Sequence, residues 1–311
     1  MDVLFYGAGV IGSIYASKLS DAGHKVSMLA RGQRYDQLVS GIVLEDGLTG
    51  TVSSSKVTLV RTLEDNDRYD LIVVAVRREQ IDEILPILKR NKSRHILIMV
   101  NTASGYLNWI NQVGAERLLV GFPAAGGFIK DNGNVHSVIM AGLKQVMQKT
   151  TIGCVQPDSE FKAKEIVGIF SRSGFPAAYC GNMDAWQKTH VALLSPLANS
   201  LFKFDGDLKA LAASRRDVEK FIVAVKEGFK VLSQLGYPVT PFGLKFLFTL
   251  PVFILTPIWM KMLGSRFYEA AFNLKANDSW GELKMLGDEF QRLALESGIS
   301  TDAIDELQST I

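Results

Sequence analysis

The sequence predicts an α/β protein in two parts: a parallel-sheet domain followed by an all-helical domain. Three observations predict it. A glycine-rich turn joins a strand to a helix within the first dozen residues; near-continuous apolar strands recur to about residue 180; beyond that only helical periodicity remains.

Val3–Tyr6 reads as a buried strand. Gly7-Ala8-Gly9-Val10-Ile11-Gly12 follows at once, and Ile11, Ile14, Tyr15 and Leu19 recur at helical spacing until Gly23. Alone, such a turn is a weak signal; between a strand and a helix it is the Rossmann dinucleotide fingerprint. Gly7 allows the tight turn, Gly9 lets the backbone approach a pyrophosphate, and Gly12 lets the helix pack on the strand. The unpaired amides and positive dipole end of the helix complete the phosphate site, so all six residues are cofactor-binding candidates.

Lys25–Ala30 is the second strand, and its end sets the expected cofactor. An acid there would hold a ribose 2′-hydroxyl; this chain has Arg31, then Gly32, Gln33 and Arg34. Guanidinium matches a 2′-phosphate in a bidentate way, so NADP(H) is expected over NAD(H). Asp70–Val76 is a further buried strand, ending in Arg77-Arg78-Glu79-Gln80, and His95–Val100 ends at Asn101. Ligands sit beyond the carboxyl ends of such strands, which puts Arg77, Gln80 and Asn101 on the cofactor side.

Leu118–Phe122, Val135–Met140 and Gln145–Ile152 read as strands. A helix capped by Ser159 or Asp158 and ended by Gly174 comes next, then a last strand, Ala177–Cys180. From Asp184 the pattern is helical: 186–202, 217–235, 267–276 and 283–297. The expected domains are therefore 1–180 and 181–311. One stretch, Phe246–Leu263, is almost free of charge. Pro251 and Pro257 interrupt it and Lys245 and Lys261 bound it, so a buried helical hairpin or subunit interface is expected rather than a membrane span.

Composition narrows the function. A net charge of +2 is too balanced to argue for nucleic acid. Cys154 and Cys180 fit neither a metal spacing nor a disulfide scaffold, and no metal site is expected. No signal peptide is visible, which makes the cytoplasm the expected compartment.

The whole arrangement resembles the ketopantoate reductase family. The residues that carry the resemblance are the GAGVIG opening, Arg31, Gly41-Ile42-Val43-Leu44, AVRREQ at a strand end, Asn101, Val135-His136, Trp186-Gln187-Lys188, Ser195-Pro196-Leu197, Glu227 before LGYPVTP, and Gly281-Glu282-Leu283. The resemblance implies a Rossmann domain with a 6-phosphogluconate dehydrogenase-like helical C-terminal domain. It also implies NADPH-dependent reduction of 2-dehydropantoate to pantoate, with a small keto acid as partner and a homodimer admitted. Lys188 matches the family's general acid, Glu282 its substrate-holding glutamate, and Asn101 an asparagine near nicotinamide and substrate.

The chemistry agrees: hydride addition to a ketone builds charge on oxygen, which an ammonium stabilises and protonates. Departures keep alternatives open. Ala192 stands one turn after Lys188 where the family has asparagine, and Ser195 precedes Pro196 where it has a second. If the proline sets the register, Gln187 takes the lysine place. His190 is an alternative acid because imidazole titrates near neutrality, while Ser195 and Asn199, four apart on one face, are candidate substrate hydrogen-bonders. A different keto acid, or an NADP-binding sensor without activity, are the other functions these departures admit. The family's serine before its glutamate has only Asn277 and Ser279 near its place.

Overall fold

The computed structural model describes residues 1–139, 149–271 and 280–309. The chain forms two compact units: Met1–Val100 with Tyr106–Met183, and Asn101–Gly105 with Asp184–Ile311. The second unit thus begins at Asp184 and takes five residues out of the middle of the first. The expected residues Met140, 145–148 and 272–276, with Asn277 and Ser279, lie outside the described residues.

Among the described residues the first unit is built on twelve strands. They are β1 (Asp2–Tyr6), β2 (Lys25–Leu29), β3 (Ile42–Asp46), β4 (Val52–Ser55), β5 (Thr58–Val60), β6 (Leu71–Val74), β7 (Ile96–Ile98), β8 (Leu118–Phe122), β9 (Ala125–Ile129), β10 (Val135–Ile139), β11 (Thr150–Cys154) and β12 (Ala177–Tyr179). Its helices are α1 (Val10–Asp21), α2 (Gly32–Leu38), α3 (Ile81–Arg90), α4 (Leu107–Val113) and α5 (Glu160–Arg172). The main sheet has the order β12-β11-β8-β7-β6-β1-β2-β5, parallel except where β11 meets β8. Six of these strands reproduce the doubly wound order, with its switch point between β1 and β6. Both faces are covered, so β6, β7, β8 and, from Val3 on, β1 are buried throughout rather than alternating.

A second sheet, β4-β3-β10-β9, packs on the other side of α1. The helix is buried on most of its circumference and is pinned from several directions. Tyr15 stacks on Phe175 at 4.0 Å, its hydroxyl meets Thr150 Oγ1 at 2.5 Å, and Ser17 Oγ lies 2.7 Å from Ser55 Oγ. The helix that carries the glycine turn is therefore fixed by packing, not by propensity.

The second unit is helical: α6 (Met183–Phe202), α7 (Leu208–Ala213), α8 (Arg215–Gln234), α9 (Phe242–Leu247), α10 (Val252–Leu263), α11 (Arg266–Ala271), α12 (Trp280–Ser297) and α13 (Asp302–Gln308). Its core gathers Phe221, Ile222 and Val225 of α8, Leu255, Trp259 and Leu263 of α10, and Leu286 and Phe290 of α12. Phe246–Leu263 becomes two short helices. Leu255, Thr256, Trp259 and Leu263 turn inward while Phe246 and Phe253 stay exposed, so the expected buried hairpin is buried on one side only. The expected cap of α5 also differs: Ser159 directs its hydroxyl to Glu116 O at 3.3 Å and makes no capping bond.

Candidate active site

Two constellations emerge, one in each unit. In the first, the glycine turn has the geometry its sequence demands. Gly7 has φ +116°, a Cβ there would stand 2.5 Å from Ala75 O, and a Cβ on Gly12 would stand 1.9 Å from Gly7 O. Neither position accepts a side chain. Gly9, the N-cap of α1, is different: a Cβ there would meet no protein atom within 4 Å. Ser13 N makes the first intrahelical bond, to Gly9 O at 3.0 Å, leaving the amides of Val10, Ile11 and Gly12 without intrahelical partners. A tight turn with open space over its middle glycine and helix amides fits a pyrophosphate.

The two arginines after β2 do different things. Arg34 braces the turn, donating to Ala8 O at 2.8 Å, Ser13 Oγ at 3.0 Å and Gly133 O at 2.7 Å. Arg31 is exposed, with only long contacts of 3.4 Å to Arg61 O and Tyr6 Oη. Arg61, which the sequence did not single out, follows β5 beside β2, and its guanidinium lies 3.7 Å from the Tyr35 ring centroid. Two exposed guanidinium groups and an aromatic ring therefore stand together at the end of β2. Arg77 is half-exposed near Glu79 at 3.9 Å, and Gln80 caps the turn by accepting from Arg77 N at 3.1 Å.

In the second unit the centre is Lys188 on α6, 3% exposed. Its ammonium pairs with Asp184 one turn earlier and lies 4.5 Å from the Tyr237 ring centroid. The Tyr237 phenol is pushed up, first by burial and then by the Asp184 carboxylate, which keeps it protonated at neutral pH. Asn101–Gly105 sits against this pair: a Cβ on Gly105 (φ +75°) would be 3.5 Å from Asp184 Oδ1 and 3.7 Å from Lys188 Nζ. Glu289 of α12, 3% exposed, holds the same loop by accepting from Thr102 Oγ1 at 2.9 Å, Ala103 N at 2.7 Å and Ser104 N at 3.3 Å. Glu282 is half-buried two turns earlier on the same face of α12. Asn101 Oδ1 is buried and has no hydrogen-bond partner among the described residues.

Lys188 and Asn101 are thus associated with one loop, while Glu282 lies about 10 Å from Glu289 along the axis of α12. Ser195 and Asn199 are not associated with that loop. They lie about 10 and 16 Å further along the axis of α6, and Asn199 Nδ2 donates to Gln308 Oε1 at 2.8 Å while Gln308 donates to Asp288 at 3.1 Å. Ala192, the departure one turn after Lys188, is packed against Gly228 and Phe290, where an added Cβ on Gly228 already meets it at 3.2 Å. That contact leaves no room for a longer polar side chain.

His190 stacks on Trp186 with ring centroids 5.5 Å apart, and burial pushes its imidazole down to about 4. Because the folded form resists protonation and the unfolded form does not, its contribution to stability is complete above about pH 6.5. It is lost as pH falls towards 4, an effect on the order of 3 kcal/mol. Chemical denaturation between pH 7 and pH 4 is expected to show this slope, and His190→Phe to flatten it; an unchanged slope in the variant assigns the acid sensitivity to other groups.

Asp184, Tyr237, Glu289 and Arg61 escaped the sequence reading. Glu289 left a signal in its seven-residue spacing from Glu282 on a helix, and Asp184 in its four-residue spacing before Lys188.

Residues 3–156 match the family described as ketopantoate reductase PanE/ApbA. The chain is similar to a 2-dehydropantoate 2-reductase of Listeria innocua, 25% identical over 137 residues, 43% of this chain and 46% of that protein. The match thus spans about half the length of that relative. A 2-dehydropantoate 2-reductase of Pyrococcus horikoshii is 23% identical over 249 residues, 78% of each chain. Among solved structures, the fold is similar to that of a D-mandelate dehydrogenase in a ternary structure with NADH and anilino(oxo)acetate. The TM-score is 0.76 at 17% identity, covering 100% of this chain and 96% of that one.

Proposed function

We propose, from the match of residues 3–156 to the ketopantoate reductase PanE/ApbA family, that the protein is an NADPH-dependent reductase of a small 2-keto acid, with 2-dehydropantoate as the first substrate to test. The observation that carries this reading is the nearly buried ammonium of Lys188, held by Asp184 and the Tyr237 ring against the Asn101–Gly105 loop. A cation fixed in a site of reduced water access has one evident use, stabilising and protonating a developing alkoxide.

The residues divide the work as follows. Gly7 to Gly12 hold the pyrophosphate, and Arg31 with Arg61 meet the 2′-phosphate. Reduced nicotinamide, when bound, supplies the hydride that adds to the keto carbon. Lys188 holds a proton at Nζ and passes it to the substrate oxygen as negative charge builds there. Asp184, one-third exposed, keeps the ammonium oriented and links it to solvent, from which the lysine regains its proton. The buried, unpartnered Asn101 Oδ1 is completed by a donor of the bound ligands, because native buried polar atoms are rarely left unmatched. Glu282 accepts from a substrate hydroxyl. His190 is neutral at pH 7 and is not assigned the proton.

A second reading, a less polar keto acid, is favoured by Ala192. Ala192, one turn from Lys188, is fully buried and offers no amide to a substrate where the family has one. Initial rates with 2-dehydropantoate and with an aryl-substituted 2-keto acid, under NADPH and NADH, test both. Turnover of the first under NADPH supports the proposal, turnover of the second alone moves the substrate, and turnover of neither ends the reductase reading. Removing one charge-assisted contact costs about 1.5–3 kcal/mol, so Arg31→Ala is expected to weaken NADPH binding roughly 10–100-fold while leaving NADH binding unchanged. Equal affinity of the wild type for both nucleotides contradicts the phosphate assignment.

A further inference from the structure

The second unit carries a surface that the chemistry above does not use. Phe242 (78% exposed) and Phe246 (63%) are one turn apart on α9; Phe253 (66%), Ile254 and Ile258 line the outside of α10. The hairpin that presents them is held in place. Trp259, Leu255 and Leu263 anchor α10 in the core, Phe248 packs edge-on against Phe229 at 5.2 Å, and Lys226 Nζ donates to Leu250 O at 2.6 Å in the turn between the helices. These side chains are therefore on the outside of a fixed element and not a misplaced core face.

Charge identifies the occupant. From Gly228 to Tyr268 the chain contains no aspartate or glutamate, whereas Lys230, Lys245, Lys261 and Arg266 are all exposed. Among the described residues, Glu219 is paired with Arg215 and Glu269 with Lys209. Lys245 lies between Phe242 and Phe246 in sequence. A second copy seated on this face would bring apolar groups together, but it would also enclose ammonium groups with no carboxylate in the hairpin to receive them. No helix among the described residues is long and apolar enough to cross a membrane. Aromatic side chains that dip into an interface, beside lysines that reach back to phosphates, are instead the pattern of a surface-bound element.

We propose that the α9–α10 hairpin docks the protein on an anionic phospholipid surface, with Phe242, Phe246 and Phe253 in the headgroup–acyl boundary and Lys245 and Lys261 on lipid phosphates.

The test is sedimentation of the full chain with vesicles of phosphatidylcholine plus phosphatidylglycerol, and with phosphatidylcholine alone. Binding to the anionic vesicles, reduced by added salt and much weaker on the neutral ones, is expected. Lys245→Gln is expected to lower partitioning about fivefold. Phe246→Asp with Phe253→Asp should lower it more than tenfold, with far-UV circular dichroism and NADPH affinity unchanged because both positions are exposed. Absence of the wild type from the anionic pellet overturns the proposal. So does a concentration-dependent dimer in sedimentation velocity that the double substitution splits, with no vesicle binding; a second copy then covers the face.

Discussion

Lys188→Ala is expected to lower kcat for keto-acid reduction by about two to four orders of magnitude, the usual contribution of a positioned general acid, while the dissociation constant for NADPH stays within about threefold. In barrier terms this is roughly 3–5 kcal/mol. The expected split follows from where the groups stand. Lys188 belongs to the helical unit and pairs with Asp184, whereas the glycine turn, Arg31 and Arg61 belong to the other. The variant leaves Asp184 unpaired, but that carboxylate is one-third exposed and water replaces its partner at modest cost. Lys188→Arg restores the charge without an easily surrendered proton, so it should remain slow while recovering substrate affinity. His190→Phe is the companion measurement. A neutral, half-buried imidazole stacked on Trp186 predicts kcat within a few-fold of wild type. Loss of activity in the histidine variant and its retention in Lys188→Ala would exchange the two roles. Retention in both, with NADPH still bound, would mean that the proton donor does not lie on this helix.

Some of this was legible before any coordinates. Gly7 and Gly12 are dictated within six residues: one needs a left-handed φ, the other cannot carry a Cβ beside Gly7 O, and neither requirement depends on distant chain. The buried strands were legible because a sheet covered on both faces leaves continuous apolar runs. What stayed hidden depends on pairs far apart in sequence. The second sheet forms because β10 finds β3, and His136 is paired to Glu45, 91 positions away in a chain that carries no matching pattern between them. Arg61 stands beside Arg31 only because β5 skips over β3 and β4 to join β2. Helical periodicity gave Ser195 and Asn199 a shared face, but periodicity does not say what that face meets. It meets Gln308 of α13. Ser159 is the same lesson in miniature, a residue type suited to capping whose hydroxyl is taken by Glu116 O.

Glu289 tests how far the site depends on that kind of long-range pairing. Its Oε2 accepts from Thr102 Oγ1, Ala103 N and Ser104 N, residues up to 187 positions away, and so sets the path of the loop that begins at Asn101 and ends on Lys188. Glu289→Leu keeps the packing volume and deletes the acceptor. Ser104 N retains Thr102 Oγ1 at 3.0 Å, but Ala103 N and the threonine hydroxyl are left without the carboxylate. At about 1–3 kcal/mol for each stranded donor the expected loss is roughly 3–5 kcal/mol. At about 2–4 °C per kcal/mol, that lowers the melting temperature by about 10 °C. The same variant, assayed well below its melting temperature, should lose kcat by tenfold or more because an ångström of displacement at Asn101 is enough to disturb alignment. Glu289→Gln keeps one acceptor oxygen and should recover most of both quantities, which separates a lost hydrogen-bond acceptor from a general packing defect. A Glu289→Leu protein that melts within about 2 °C of wild type would mean that the loop is held by its own backbone, and that the carboxylate merely occupies the space beside it.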